Sequence, residues 1–156
     1  MMINPKNISQ ESLDLLKAIE GYYEVPREVN GTLYTGYGFC FYDNGDPVTI
    51  TDLPLSQKHA TRMLRIFLRP FENCVSAVLR VRVSQSQYDA LVLLAYDIGV
   101  MNFCRSNLLT KINSNIDPSN LYDEWLSHAS FEGKFREELA DIRALEYHLF
   151  LNKPNI

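Results

Sequence analysis

The feature that most constrains this chain is a break in periodicity. Apolar residues recur at helical spacing before Gly21 and again from Ser56. Residues 22–50 carry none of that spacing and are rich in Tyr, Thr, Val and Gly. A helix-period pattern does not settle as a strand, nor a strand pattern as a helix. The expected architecture is therefore α+β: a small β lobe over residues 22–50 and a larger all-helical lobe over residues 8–21 and 56–151. Together they make a single domain of residues 1–156, with a cleft between the lobes as the natural ligand site.

Local signals divide the chain further. Ser9 is placed to cap a first helix on which Leu13, Leu16 and Glu20 share a face, and Gly21 is a natural stop. Thr32–Tyr37, Phe39–Tyr42 and Val48–Ile50 read as short strands, with Asp43-Asn44-Gly45-Asp46 as a turn. Ser56 caps a helix carrying Ala60, Met63, Leu64, Phe67 and Leu68. Pro70 is expected to break or kink it, so that Phe71–Leu79 forms another helix. Helices are also expected at Gln85–Ile98, capped by Ser84 and ended by Gly99, at Ser106–Asn113, at Asn120–Ser127 after Asp117-Pro118-Ser119, and at Arg136–Leu151. Leu139, Ile142, Leu145 and Leu149 form the apolar side of the last, and Trp125 reads as core.

Composition removes several function classes. A net charge of −4 and a pI near 5.3 argue against a general nucleic-acid binder. The three cysteines, Cys40, Cys74 and Cys104, have no CxxC or Cys/His spacing, which argues against zinc and for reduced thiols in a cytoplasmic protein. His59, His128 and His148 are isolated. The start of the chain has no secretory-signal pattern, and the longest apolar run, Leu91 to Tyr96, is far too short to span a bilayer. The expectation is cytoplasmic synthesis and no membrane partner. A target outside the cell then requires release or delivery by another protein.

The chemistry-bearing stretch is KAIEGYYEVPREVNGTLYTGYGF, Lys17 to Phe39. Cleaving a glycosidic bond takes a proton donor for the leaving oxygen and a second carboxylate across the bond. Glu20 suits the donor. The negative pole at a helix end and an apolar wall from Ile19, Tyr22 and Tyr23 both disfavour its charged form. Glu24 and Glu28 are candidates for the second carboxylate, and spacing alone does not choose between them.

These residues resemble the bacteriophage-type lysozymes, the endolysin muramidases. Glu20-Gly21 matches the helix-end E-G of that family. Glu28, Gly31, Tyr34, Gly36, Tyr37, Gly38 and Phe39 align with its D-x-x-G-x-x-T-x-G-Y-G-H ribbon. The resemblance continues through SQSQYDALVLLAYDIGVMNFCRSNLL (Ser84 to Leu109) and EELADIRALEYHLF (Glu137 to Phe150), where Arg143 and Glu146 match the closing helix. It covers residues 8 to 151.

The resemblance implies a lysozyme-like fold and hydrolysis of the β-1,4 bond between N-acetylmuramic acid and N-acetylglucosamine in peptidoglycan, with no metal and no cofactor. Carried over residue by residue, Glu20 is the general acid, Glu28 takes the Asp place and Tyr34 the Thr place. Tyr22, Thr35, Tyr37, Asp97 and Phe103 are the expected substrate contacts, and the partner is a peptidoglycan glycan strand met by a monomer. The chain departs from the pattern in four ways: a loop one residue shorter after Glu20, Glu28 for Asp, Tyr34 for Thr and Phe39 for His. On a regular strand Thr35 points away from the face of Tyr34, and replaces the missing hydroxyl only if the ribbon is bulged or slipped. The alternative is a lysozyme fold without catalysis that binds cell-wall glycan or a protein partner. Lys58, Arg62, Arg65, Arg69, Arg80 and Arg82 read either as a basic flank or as a solvated helix face.

Overall fold

The computed structural model describes residues 4–152. The chain clusters into two compact units, one of Gln10–Arg69 and the other of residues 4–9 with 70–152.

The first unit opens with helix α1, Gln10–Glu20, which buries Ser12, Leu13 and Leu16. Strands β1, Tyr23–Val29, and β2, Thr32–Gly36, pair antiparallel through a turn in which Asn30 and Gly31 both have positive φ. Asn-Gly is the pair that a tight two-residue hairpin turn favours. Strand β1 thus occupies a stretch where none of the expected strands lay. The strand expected at Phe39–Tyr42 is reduced to isolated bridges, Thr35 with Phe39 and Phe41 with Pro47, and Val48–Ile50 takes part in neither. Side-chain hydrogen bonds fix this segment instead. Asp46 N donates to Asn44 Oδ1 (2.9 Å), and Asp52 accepts from Tyr42 (2.7 Å) and from the hydroxyl of Thr49 (2.5 Å).

Helix α2, Gln57–Val78, runs unbroken through Pro70. Ser56 Oγ accepts from His59 N at 3.1 Å, as a cap does. An interior proline costs a helix about 3 kcal/mol. Here Ala60, Met63, Leu64 and Leu68 before it and Val75 after it are all buried, and their burial outweighs that cost. The proline marks the boundary between packing units rather than the end of a helix. Lys58, Arg62, Arg65 and Arg69 follow at steps of four, three and four, and all are exposed. They form one solvated face.

In the second unit, α3 (Gln85–Ile98) begins at a capping box on Ser84 and stops at Gly99. Tyr88 to Ala95 are buried without interruption, so α3 is a core helix. Helices α4 (Val100–Cys104), α5 (Asn107–Asn113) and α6 (Tyr122–Leu126) follow, with a 3-10 turn at Pro118–Asn120. A hairpin of β3, Ser130–Phe131, and β4, Lys134–Phe135, precedes α7, Glu137–Leu151. The buried residues of α7 are Arg143, Glu146, Tyr147 and Phe150; on the expected apolar side Leu139, Ile142 and Leu149 are half-buried and Leu145 is 48% exposed. The polar pair is buried because each member meets a partner there. Trp125 is fully buried as expected, with rings of Tyr147 and Phe150 beside it.

No helix among the described residues is long and apolar enough to cross a membrane. No group of three metal-ligating side chains occurs among them.

Candidate active site

The carboxylate at the end of α1 lies against the glycine ribbon. Gly21 N donates to Lys17 O (2.9 Å), and Gly21 has φ +72, so the chain turns sharply after Glu20. Glu20 is half-buried. A Cβ on Gly38, where φ is +81, would sit 3.0 Å from Glu20 Oε2. The backbone angle favours glycine at position 38, and a Cβ there would press on the Glu20 carboxylate. At Gly36 a Cβ would meet the Phe39 ring at 2.8 Å. Phe39 is buried, with its ring centroid 4.9 Å from that of Phe67. The aromatic at the place of the family's histidine is a core residue.

The ribbon register assigns faces. Arg27 pairs with Tyr34, Glu28 with Leu33 and Val29 with Thr32. Directly opposed residues share a face and successive ones alternate, so Glu28 and Leu33 lie on one face, and Arg27 and Tyr34 on the other. Between Tyr23 and Arg27 the register shifts, with three β1 residues opposite Thr35 alone. The bulge is thus in β1, and β2 keeps its alternation. Thr35 falls on the face of Glu28 and Tyr34 does not. Thr35 is 1% exposed, and its hydroxyl donates to Tyr23 O at 3.4 Å. Glu28 is exposed, whereas Tyr34 is half-buried.

Three of the expected substrate contacts are aromatic. Tyr22 is half-buried, and its phenol donates to the Leu55 carbonyl. Burial, with Glu24 and Tyr37 adding to it, raises the phenol above its ordinary pKa. Tyr37 is buried, 5.5 Å from Tyr22 between ring centroids, with Lys17 Nζ 5.6 Å from its ring. Phe103 is fully buried in α4, so it is a core residue and not a sugar platform. The helix that turns it inward carries Met101 outward, at 63% exposure. That five-residue helix was too short to show a period in the sequence.

Asp97 is 40% exposed and accepts from Arg143, a fully buried guanidinium. Arg143 Nη2 also donates to Glu146 Oε2 (3.0 Å), and Trp125 Nε1 donates to Glu146 Oε1 (3.1 Å). Arg143 Nε lies 2.9 Å from Glu146 Oε1 without hydrogen-bond alignment, and Nη1 has no hydrogen-bond partner among the described residues. Burial pushes the Glu146 carboxyl up to about 7, against the opposing pull of Arg143 and Trp125. Burial and Arg143 lower His128. Asp97, Arg143 and His128 line a groove of about 850 Å³ within this unit. The matched pair on the last helix is therefore part of a network that also includes Asp97 and Trp125.

The half-buried acid at the helix end is thus seated on the glycine-rich hairpin, and these are the two elements on which the likeness to phage lysozymes rests. The family model for phage lysozyme matches residues 17–146, and the chain belongs to the phage lysozyme family. It is 33% identical over 150 residues to the endolysin of Bacillus phage B103, covering 93% of this chain and 54% of that protein. The chain thus spans about half the length of that relative. Among solved structures it is similar to a P22 lysozyme mutant, 27% identical with a TM-score of 0.80, over 97% of this chain and 100% of that one. An endolysin from Escherichia coli O157:H7 phage FAHEc1 shares the fold with a TM-score of 0.86 at 24% identity, over 94% of each chain. The lysozyme-like α+β fold is common to this chain and both solved structures.

Proposed function

We propose that this chain is a peptidoglycan muramidase of the endolysin type, hydrolysing the β-1,4 bond between N-acetylmuramic acid and N-acetylglucosamine. The observation that carries this reading is the seating of the Glu20 carboxylate against Gly38, which joins the helix-end acid to the glycine ribbon. Glu20 protonates the leaving oxygen. Glu28, from β1, activates a water or attacks the anomeric carbon. Thr35, on the Glu28 face, takes the positioning role that the aligned Tyr34 cannot reach from the other face. Tyr22, Tyr37 and Asp97 contact the glycan. The enzyme acts as a monomer after release or delivery by another protein.

Digestion of purified peptidoglycan, followed by borohydride reduction and mass spectrometry, tests the bond cleaved. The expected products carry new muramic-acid reducing ends. New glucosamine reducing ends, or only peptide cleavage, would overturn the assignment.

A second reading, a glycan-binding lysozyme fold without catalysis, is favoured by Phe39 as core and by the Thr35 hydroxyl directed to Tyr23. It predicts retention of the chain on insoluble peptidoglycan with no new reducing ends.

A further inference from the structure

Two cysteines outside the proposed site meet sulfur to sulfur. Cys74 on α2 and Cys104 at the end of α4 lie 30 residues apart in sequence and both belong to the unit of residues 70–152, with Sγ atoms 3.5 Å apart. Cys104 is exposed and Cys74 half-buried. Cys104 opens onto a groove of about 540 Å³, which Arg80 also lines.

We propose that Cys74 and Cys104 are a disulfide-forming pair, closed by a small-molecule disulfide such as oxidised glutathione, and that the closed bond staples α2 to α4. Reaching a bonded separation of about 2.05 Å requires the sulfurs to close by roughly 1.5 Å, which is side-chain rotation rather than refolding. The roles of the two thiols follow from their exposure. The Cys104 thiolate attacks one sulfur of glutathione disulfide, forming a mixed disulfide and expelling one glutathione thiolate, which takes up a proton. The Cys74 thiol then gives its proton to solvent and attacks Cys104 Sγ, expelling the second glutathione thiolate. Two protein thiols are oxidised, and one glutathione disulfide is reduced to two thiols. Burial and the Cys104 contact push Cys74 up to about 11, which keeps it protonated and leaves the first attack to Cys104. Arg80 at the groove favours an anionic oxidant. Cys40 belongs to the other unit and is an internal control.

The test incubates the full chain with oxidised glutathione, then reads free thiols, intact mass, tryptic maps and melting temperature. The expected result is loss of two of the three thiols with no retained glutathione, a Cys74–Cys104 cross-linked peptide, and a rise in Tm of roughly 5–15 °C that dithiothreitol reverses. Cys40→Ser behaves as the wild type, while Cys74→Ser stops at a glutathione adduct on Cys104. A persistent adduct in the wild type, a cross-link through Cys40, no loss of thiols, or a closed bond that leaves Tm unchanged overturns the proposal. None of these readouts depends on muramidase activity.

Discussion

Two glutamates in this chain have been placed by opposite means. Glu146 is 2% exposed and held by an arginine and an indole, and burial pushes its carboxyl up to about 7. Glu20 is half-buried and rests on a glycine whose missing side chain makes room for it. By its perturbation Glu146 is a conspicuous acid. Its oxygens, however, are taken up by Arg143 and Trp125, which is what a buried structural charge requires. Glu20 lies against Gly38, where a positive φ and the missing Cβ leave space at the carboxylate. A raised pKa thus marks burial, and a shaped, reachable carboxylate marks a candidate for chemistry.

The sharpest way to break this contrast is to disturb each acid's site in turn. Glu20→Gln is expected to lower the rate of glycan cleavage by about 10²-fold or more with little change in melting temperature, read by a peptidoglycan assay beside calorimetry. Arg143→Met acts on the other region. It strands Glu146 and Asp97 and is expected to lower stability by roughly 3–5 kcal/mol in urea titrations. A loss below about 1 kcal/mol would show that the network is not structural.

The pH dependence gives a finer test. An acid whose folded pKa is raised binds more protons in the folded state than in the unfolded state between the two values. Its contribution to stability is therefore highest below the unfolded pKa near 4.5 and is lost as pH rises through about 7. The wild type is expected to lose about 1–3 kcal/mol from this group across that window, and Glu146→Gln to lose that part of the slope. Stability curves that stay parallel would contradict the account.

Glycine pairs separate backbone from side-chain effects. Gly21→Ala and Gly38→Ala both force a residue into positive φ, at a cost of about 1–2 kcal/mol. At Gly38 the new Cβ also presses on the Glu20 carboxylate, whereas at Gly21 it meets nothing within 4 Å beyond its chain neighbours. Activity normalised to folded protein is expected to fall at least about tenfold further in Gly38→Ala. The smallest effect concerns the ribbon faces. Thr35→Val should cost about 1 kcal/mol and more activity than Tyr34→Phe, because Thr35 shares the Glu28 face and its hydroxyl is bonded. The reverse order would return the positioning role to Tyr34.

Capped and stopped helices were readable from the chain itself. Ser84 to Gly99 appears in space with the expected bounds, because cap, periodicity and glycine stop agree. The α+β class followed from the break in periodicity, and the kinship from the order of the motifs. The missed features depend on tertiary partners. Strand β1 alternates too weakly to be seen, although Asn30-Gly31 marked its turn. The continuity of α2 through Pro70 depends on burial at both of its ends. The polar face of α7 depends on Trp125 and Asp97, 21 and 46 residues from their partners. In the candidate site Glu20 was legible from its helix end, but its contact with Gly38 was not, since a glycine's empty space has no sequence period. Phe103 misled because an aromatic suits a sugar ring and a core equally well.

The most direct measurement of the central claim is release of reducing ends from purified peptidoglycan by the wild type and by Glu20→Gln, at equal concentrations of folded protein from pH 4 to 8. Cleavage by the wild type and its loss by about 10²-fold or more in Glu20→Gln is the predicted result. Equal rates in the two proteins would contradict the assignment of Glu20, and no cleavage by either would contradict the enzyme.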